Sequence, residues 1–288
     1  MNSALGALLA GATFIALSPI FVRLALDSGV GPTATAFWRV ALAVPVLWAA
    51  YALRGAPRAR RYSGKWLLLA AAGLAFAGDL AFWHTSIKLT SVANSTLLAN
   101  LASIFVTLAA WIFLRQRPAP MFLAGLAAAL SGVALLVHTS LRFSPTGLAG
   151  DALGVVTAMF YAGYLLAVKG LRDRGEATLH LMAVSTTLSA VLLVPVALAT
   201  GEALVPQDTR GWWALAGLAL VSHAAGQGLI AYALAHLPAA FSSVSLLFQP
   251  VMAAAFAWVL LSEPLVPLQM AGALVVLFGI YLARRGSA

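Results

Sequence analysis

Residues Trp111–Gly132 read WIFLRQRPAPMFLAGLAAALSG, and residues Trp258–Gly279 read WVLLSEPLVPLQMAGALVVLFG. The two stretches match at a constant offset of 147 residues: Trp111 with Trp258, Pro120 with Pro267, Ala124 and Gly125 with Ala271 and Gly272, and Gly132 with Gly279. Each stretch covers the end of a series of five apolar segments of membrane-spanning length. Five crossings are an odd number, so a second copy starts from the other side of the bilayer and faces the opposite way. Paired inverted copies of this kind are the build of alternating-access carriers. The reading predicts an all-α integral membrane protein of ten transmembrane helices, arranged as two inverted five-helix repeats over residues 1–142 and 143–288.

Composition leads to the same class. Of 288 residues 62% are hydrophobic and 9% charged, and the mean hydropathy is +0.96. A water-soluble core of this chain length cannot absorb that much apolar surface. A span needs roughly 20 mostly apolar residues, and the pattern places spans near 4–26, 33–53, 66–87, 92–114, 120–138, 148–169, 180–200, 212–235, 239–261 and 266–283. The connecting loops are short, which leaves no soluble domain. The first segment lacks a basic n-region, and its apolar run is longer than a signal-peptide core, so it is expected to be retained as a helix.

The net charge of +9 is explained by where the basic residues sit. Twelve fall on one side of the predicted topology: Arg54, Arg58, Arg60, Arg61, Lys65, Arg115, Arg117, Lys169, Arg172, Arg174, Arg284 and Arg285. Lys88, Arg142 and Arg210 fall on the other, with Arg23 near the end of the first span. By the positive-inside rule both termini are cytoplasmic. The basic balance therefore reflects topology and contact with anionic membrane lipid, and no nucleic-acid partner is expected. With no cysteine, disulfides and thiolate metal sites are excluded.

The run from Tyr232 to Leu282, with its Ser262-Glu263-Pro264 turn, Gln269, the Ala271-Gly272 pair and Gly279, resembles the EamA domain of the drug/metabolite transporter superfamily. Ser91-Val92-Ala93-Asn94-Ser95-Thr96 through Gly132 is similar to the same module. Gly150-Asp151-Ala152-Leu153-Gly154 and Ala4-Leu5-Gly6 resemble the start of the module's first helix. In the first half Arg115-Gln116-Arg117-Pro118 stands where the family usually has a Gly-Glu or Ser-Glu pair, so no role for that acidic residue carries over. Within the superfamily the chain is most similar to bacterial aromatic amino acid exporters. The resemblance implies a cytoplasmic-membrane carrier of small molecules. Helices 1, 3, 4, 6, 8 and 9 would surround a central path, with helices 5 and 10 supporting the fold or a homodimer contact. Gly125 with Gly132, and Gly272 with Gly279, are small-residue steps that suit close helix approach.

Polar and aromatic residues concentrate in particular spans, and these are the candidate binding residues. Asp79 is the one acidic residue well inside a span. A bare carboxylate there costs at least ~2.5–3.5 kcal/mol, so it must be protonated, paired or in an aqueous cavity. Trp83 lies one turn from Asp79 on the same face, and Phe82 is close to that face. His84 points elsewhere and suits a bond to another helix. Thr96, Asn100, Ser103 and Thr107 form a stripe on span 4, and Ser242, Ser245, Gln249 and Met252 match it on span 9, where Pro250 disrupts the helix. Asn100 and Gln249 fit a pathway wall and interhelical packing equally well, whereas the Ser and Thr positions suit interhelical hydrogen bonds better. Span 6 brings Thr157, Tyr161 and Tyr164 to one side. Tyr161 lies too deep for an interfacial belt and so suits a cavity wall. Span 8 carries His223 and Gln227, and the glycines beside Gln227 fit either a hinge or a cavity. Pro19 should kink span 1 beside Phe14, Ser18 and Phe21. Arg39 falls about 10 Å from its span's outer end, within snorkelling reach, and is read as structural.

Enzyme chemistry finds no support. The sequence has no glycine-rich phosphate cradle, no metal-ligand spacing and no nucleophile elbow, so no cofactor is expected. A charge-poor, aromatic-rich interior suits a neutral zwitterion with a bulky apolar group, and aromatic and other neutral amino acids have that chemistry. Organic cations such as quaternary ammonium drugs are the alternative, held by cation–π attraction with Asp79 neutralising their charge.

Overall fold

The structure, a computed structural model, describes residues 2–55, 64–138, 147–262 and 265–287. Among these residues, ten helices are long and apolar enough to cross a membrane. They are α1 (Ser3–Asp27), α2 (Pro32–Leu53), α3 (Lys65–Leu89), α4 (Asn94–Phe113), α5 (Pro120–Val137), α6 (Leu148–Asp173), α7 (Thr178–Ala199), α8 (Thr209–Ala233), α9 (Ala239–Leu260) and α10 (Pro267–Gly286). Helix is the form in which a segment satisfies its own backbone in hydrocarbon, which is why the apolar runs fold this way. The outer surface carries large apolar side chains such as Phe113, Trp213 and Leu274, as a lipid-facing surface requires. Arg58, Arg60, Arg61, Arg142, the Glu263-Pro264 pair and the expected boundary after residue 142 lie outside the described residues.

Local chemistry sets the helix ends. Pro32, Pro120 and Pro267 occupy the first turn of their helices, where a missing N–H is no loss. The Asp208 carboxylate accepts the Gly211 N–H at 2.8 Å and caps α8, and that bond holds its carboxyl below the usual range. Among the described residues the non-glycine positions with positive φ are Arg115 (56°) and Ser262 (55°). They are related by the same 147-residue offset and end α4 and α9 in the same left-handed turn. The duplication read from glycines and prolines thus recurs as backbone geometry.

The packing is also pseudo-symmetric. α3 lies along α6 as α8 lies along α1, while α2 with α7, α4 with α9 and α5 with α10 pair each helix with its own counterpart. The glycine steps are used in the last pair. A Cβ on Gly132 would sit 2.6 Å from the Val276 nitrogen and 2.7 Å from the Gly272 oxygen. The notched faces of α5 and α10 therefore pack against each other within one chain.

Several helices are broken near mid-membrane. α1 breaks at Ala16–Leu17, just before Pro19, and α9 breaks at Leu246–Leu247, before Pro250. α4 breaks at Asn100–Leu101 with no proline near. There the Asn100 side chain donates to the Thr96 carbonyl at 2.9 Å, and the Ser103 hydroxyl donates to the Asn100 carbonyl at 3.0 Å. Side chains that bond their own helix in this way loosen and bend it. α8 winds as a π-helix from Leu218 to Gln227.

One expectation is overturned. Ser103 and Thr107 on α4 and Ser245 on α9, read as links between helices, donate instead to carbonyls of their own helices, those of Asn100, Ser103 and Phe241. A hydroxyl three or four residues along a helix already has an acceptor, so it needs none from a neighbour. The hydroxyls that do cross between helices lie elsewhere: Ser86 to Gly150, Ser189 to Gly73 and Ser222 to Phe14.

Candidate functional site

The helix breaks converge on one cavity. α1 contributes Ser18 and Pro19 from its break, α4 contributes Thr96 and Asn100, and α9 contributes Gln249 and Pro250. α3 adds Asp79 and Trp83, α6 adds Tyr161, α8 adds Gln227 from the end of its π-helical stretch, and α2 adds Arg39. Broken helices around a midplane cavity give backbone carbonyls and side chains a place to meet a polar ligand without exposing them to lipid.

Asp79 is only half-buried, because the cavity reaches it. An intramembrane carboxylate is thus given room for water or for a ligand, as its insertion cost demands. Arg39 also lines the cavity and is 5% exposed, close enough to Asp79 for the two charges to act on each other. Its guanidinium sits 5.9 Å from the centroid of the Phe76 ring. The snorkelling expected for Arg39 does not occur. It lies on the face of α2 that packs against α3 and α7, and that face points inward. A reading by depth alone has no access to this direction, so the sequence reasoning missed both Arg39 and the share of α2 in the cavity.

Tyr161, Gln227 and Gln249 join the charged pair in the lining of the same cavity. Gln227 Oε1, Gln249 Nε2 and Ser18 Oγ are buried without a partner. The wall therefore offers acceptors and donors that no other protein group takes up. Trp83 supplies a broad apolar surface beside Asp79.

The structure brings Asp79, Trp83, Asn100, Tyr161, Gln227, Gln249 and Ser18 together and leaves the other candidates outside the cavity wall. Phe82 packs on Phe160 with ring centroids 5.2 Å apart. Tyr164 is buried behind Tyr161, stacked on it at 6.1 Å, with its hydroxyl 3.8 Å from the Met182 sulfur. His84 is fully buried and bonds the Leu80 carbonyl of its own helix at 2.7 Å rather than a neighbouring helix. His223 bonds the Thr186 hydroxyl at 2.8 Å and stacks on Phe76. Phe14 is 37% exposed and is not part of the cavity lining. A second hollow opens near Gly286 and Ser287, between the ends of α4, α6, α9 and α10, with Arg117, Lys169, Asp173 and His236 among its lining. Among the described residues no cluster of His, Asp or Glu is suited to hold a metal.

The EamA-like transporter family matches residues 2–138 and again 148–285. An uncharacterized transporter of Archaeoglobus fulgidus is 30% identical over 98% of both chains. A probable amino-acid metabolite efflux pump of Salmonella typhimurium is 28% identical over 71% of this chain and 72% of its own length. A solved crystal structure superposes with a TM-score of 0.84 over 99% of this chain and 98% of that one, at 18% identity, and so shares the fold.

Proposed function

We propose, because the chain belongs to the EamA-like transporter family, that it exports amino acids, aromatic and other neutral ones, across a bacterial cytoplasmic membrane. As a member of that family it is a multi-pass secondary transporter and not an enzyme. Export proceeds by alternating access, with residues 1–142 and 143–288 rocking as inverted repeats about the cavity and both termini in the cytoplasm.

The observation that carries the substrate class is the content of the cavity wall: one carboxylate, one guanidinium, aromatic surfaces and uncommitted amide groups in a single space. A bulky zwitterion fills it with its charges and its apolar part both matched. The similarity to a protein described as a probable amino-acid metabolite efflux pump supports the same reading. Asp79 beside Trp83 would also suit an organic cation, but Arg39 in the same wall opposes a purely cationic ligand.

The test is uptake into proteoliposomes. Phenylalanine or tryptophan should enter saturably and be inhibited more by bulky neutral amino acids than by glutamate or sugar phosphates. Flux equal to empty liposomes under several gradients, with saturable transport of a quaternary dication instead, moves the function to cation export.

A further inference from the structure

We propose that Arg39 and Asp79 form a two-ended clamp for the α-amino acid head group, Arg39 taking the carboxylate and Asp79 the ammonium. The clamp makes the zwitterion, rather than the aromatic side chain, the unit that this cavity recognises. The inference rests on the amino acid reading above and assigns a specificity-determining role to Arg39.

The two groups reach the cavity from different helices, α2 and α3, and they are the opposite charges in its lining. Both line one cavity, near enough for each charge to act on the other. Their sum is zero, so a ligand that carries a single charge leaves one wall charge uncompensated in a low-dielectric site. A zwitterion bound with its dipole reversed leaves neither. Sites built to pair a substrate's polar group reject analogues that lack it far more strongly than pockets that only measure shape.

Arg39 is suited to the carboxylate end. Its Nε is buried with no hydrogen-bond partner, so part of its rigid fork of donors is unspent, and that fork matches the two oxygens of a carboxylate. Asp79 is the better exposed of the pair, so an ammonium can approach it from the cavity. Trp83, one turn further along α3, lies within the same lining to cover the apolar part of the ligand.

The experiment compares three ligands of one shape: phenylalanine, phenethylamine and 3-phenylpropionate. Equilibrium binding is measured on purified protein for the wild type, Arg39→Gln, Asp79→Asn and the double variant, each checked for a monodisperse profile. The wild type should prefer phenylalanine by about tenfold or more over both analogues, a difference of about 1.4 kcal/mol. Arg39→Gln should move the preference toward the amine, and Asp79→Asn toward the acid. The double variant removes both charges together, leaves no lone charge in the wall to unfold it, and should bind the three ligands within a few-fold of one another. Phenylalanine binding by the wild type with a parallel loss of all ligands in both single variants overturns the clamp alone, as does a double variant that keeps the tenfold preference. Failure of the wild type to bind any of the three overturns the amino acid reading and the clamp with it.

Discussion

The Lys65 ammonium lies 2.9 Å from Glu176 Oε2, and both side chains are buried, at 7% and 1% exposure. Around this ion pair, His180 Nδ1 approaches Glu176 Oε1 at 2.6 Å and the Arg172 guanidinium donates to the Glu176 backbone carbonyl. At the other end of α3, Lys88 pairs with Glu202, whose second oxygen accepts the Thr33 N–H at 2.8 Å. The helix that carries Asp79 is thus held at both ends by segments that flank α7. Glu176→Gln removes the negative charge beside the buried Lys65 ammonium and should cost about 3–5 kcal/mol. The double variant Lys65→Met with Glu176→Leu removes both charges and should recover most of it. Unfolding midpoints in detergent read the difference, and equal losses in the single and double variants would show that the pair contributes nothing through its charge.

What was legible in the sequence follows from which physical signals are local. Hydrophobic length is local, so the ten helices appear where the apolar runs predict them. The offset of 147 is a property of the string itself, and Arg115 and Ser262 show that it extends to backbone angles. Asp79 could be singled out because an intramembrane carboxylate is conspicuous in any frame. Arg39 could not, because its depth near a helix end fits snorkelling equally well, and only the packing of α2 against α3 and α7 decides its direction. The breaks in α1 and α9 were announced by Pro19 and Pro250. The break in α4 carries no proline and arises from Asn100 and Ser103 bonding their own helix, a choice that backbone and side chain make only in three dimensions. His84 and His223 were attractive as polar groups in apolar spans. Each is instead buried among neighbours that satisfy one ring nitrogen.

The close approach of α5 and α10 sets Gly132 apart from a glycine with room around it, Gly163. A Cβ at Gly132 meets backbone atoms at 2.6 and 2.7 Å, which cannot yield as a flexible side chain would. Gly132→Ala should push the helices apart and destabilise by about 1–3 kcal/mol. Gly163 on α6 is the control, since its nearest neighbour would be the Ala75 Cβ at an ordinary 3.7 Å. Gly163→Ala should be neutral or stabilising by up to about 1 kcal/mol, because alanine is the better helix former. Equal behaviour of the two variants in thermal unfolding would remove the close-packing account of α5 and α10.

Trp83 and Phe82 are adjacent in sequence and diverge in space, which separates recognition from packing. Trp83 joins the cavity wall, while Phe82 packs on Phe160 outside it. Trp83→Ala should therefore weaken transport of phenylalanine and tryptophan more than of alanine or serine. It removes an aromatic surface worth about 0.5–1.5 kcal/mol beyond the area it buries, roughly a two- to twelvefold loss of affinity for the aromatic substrates. Phe82→Ala removes a contact between α3 and α6, so it should lower the unfolding midpoint and change all substrates alike. Initial rates across a series of amino acids of increasing size, measured for both variants in proteoliposomes, separate the two roles. If Trp83→Ala lowered transport of small and aromatic substrates by the same factor, the ring would be a packing element. Aromatic preference would then have to come from Tyr161, the remaining large ring in the wall.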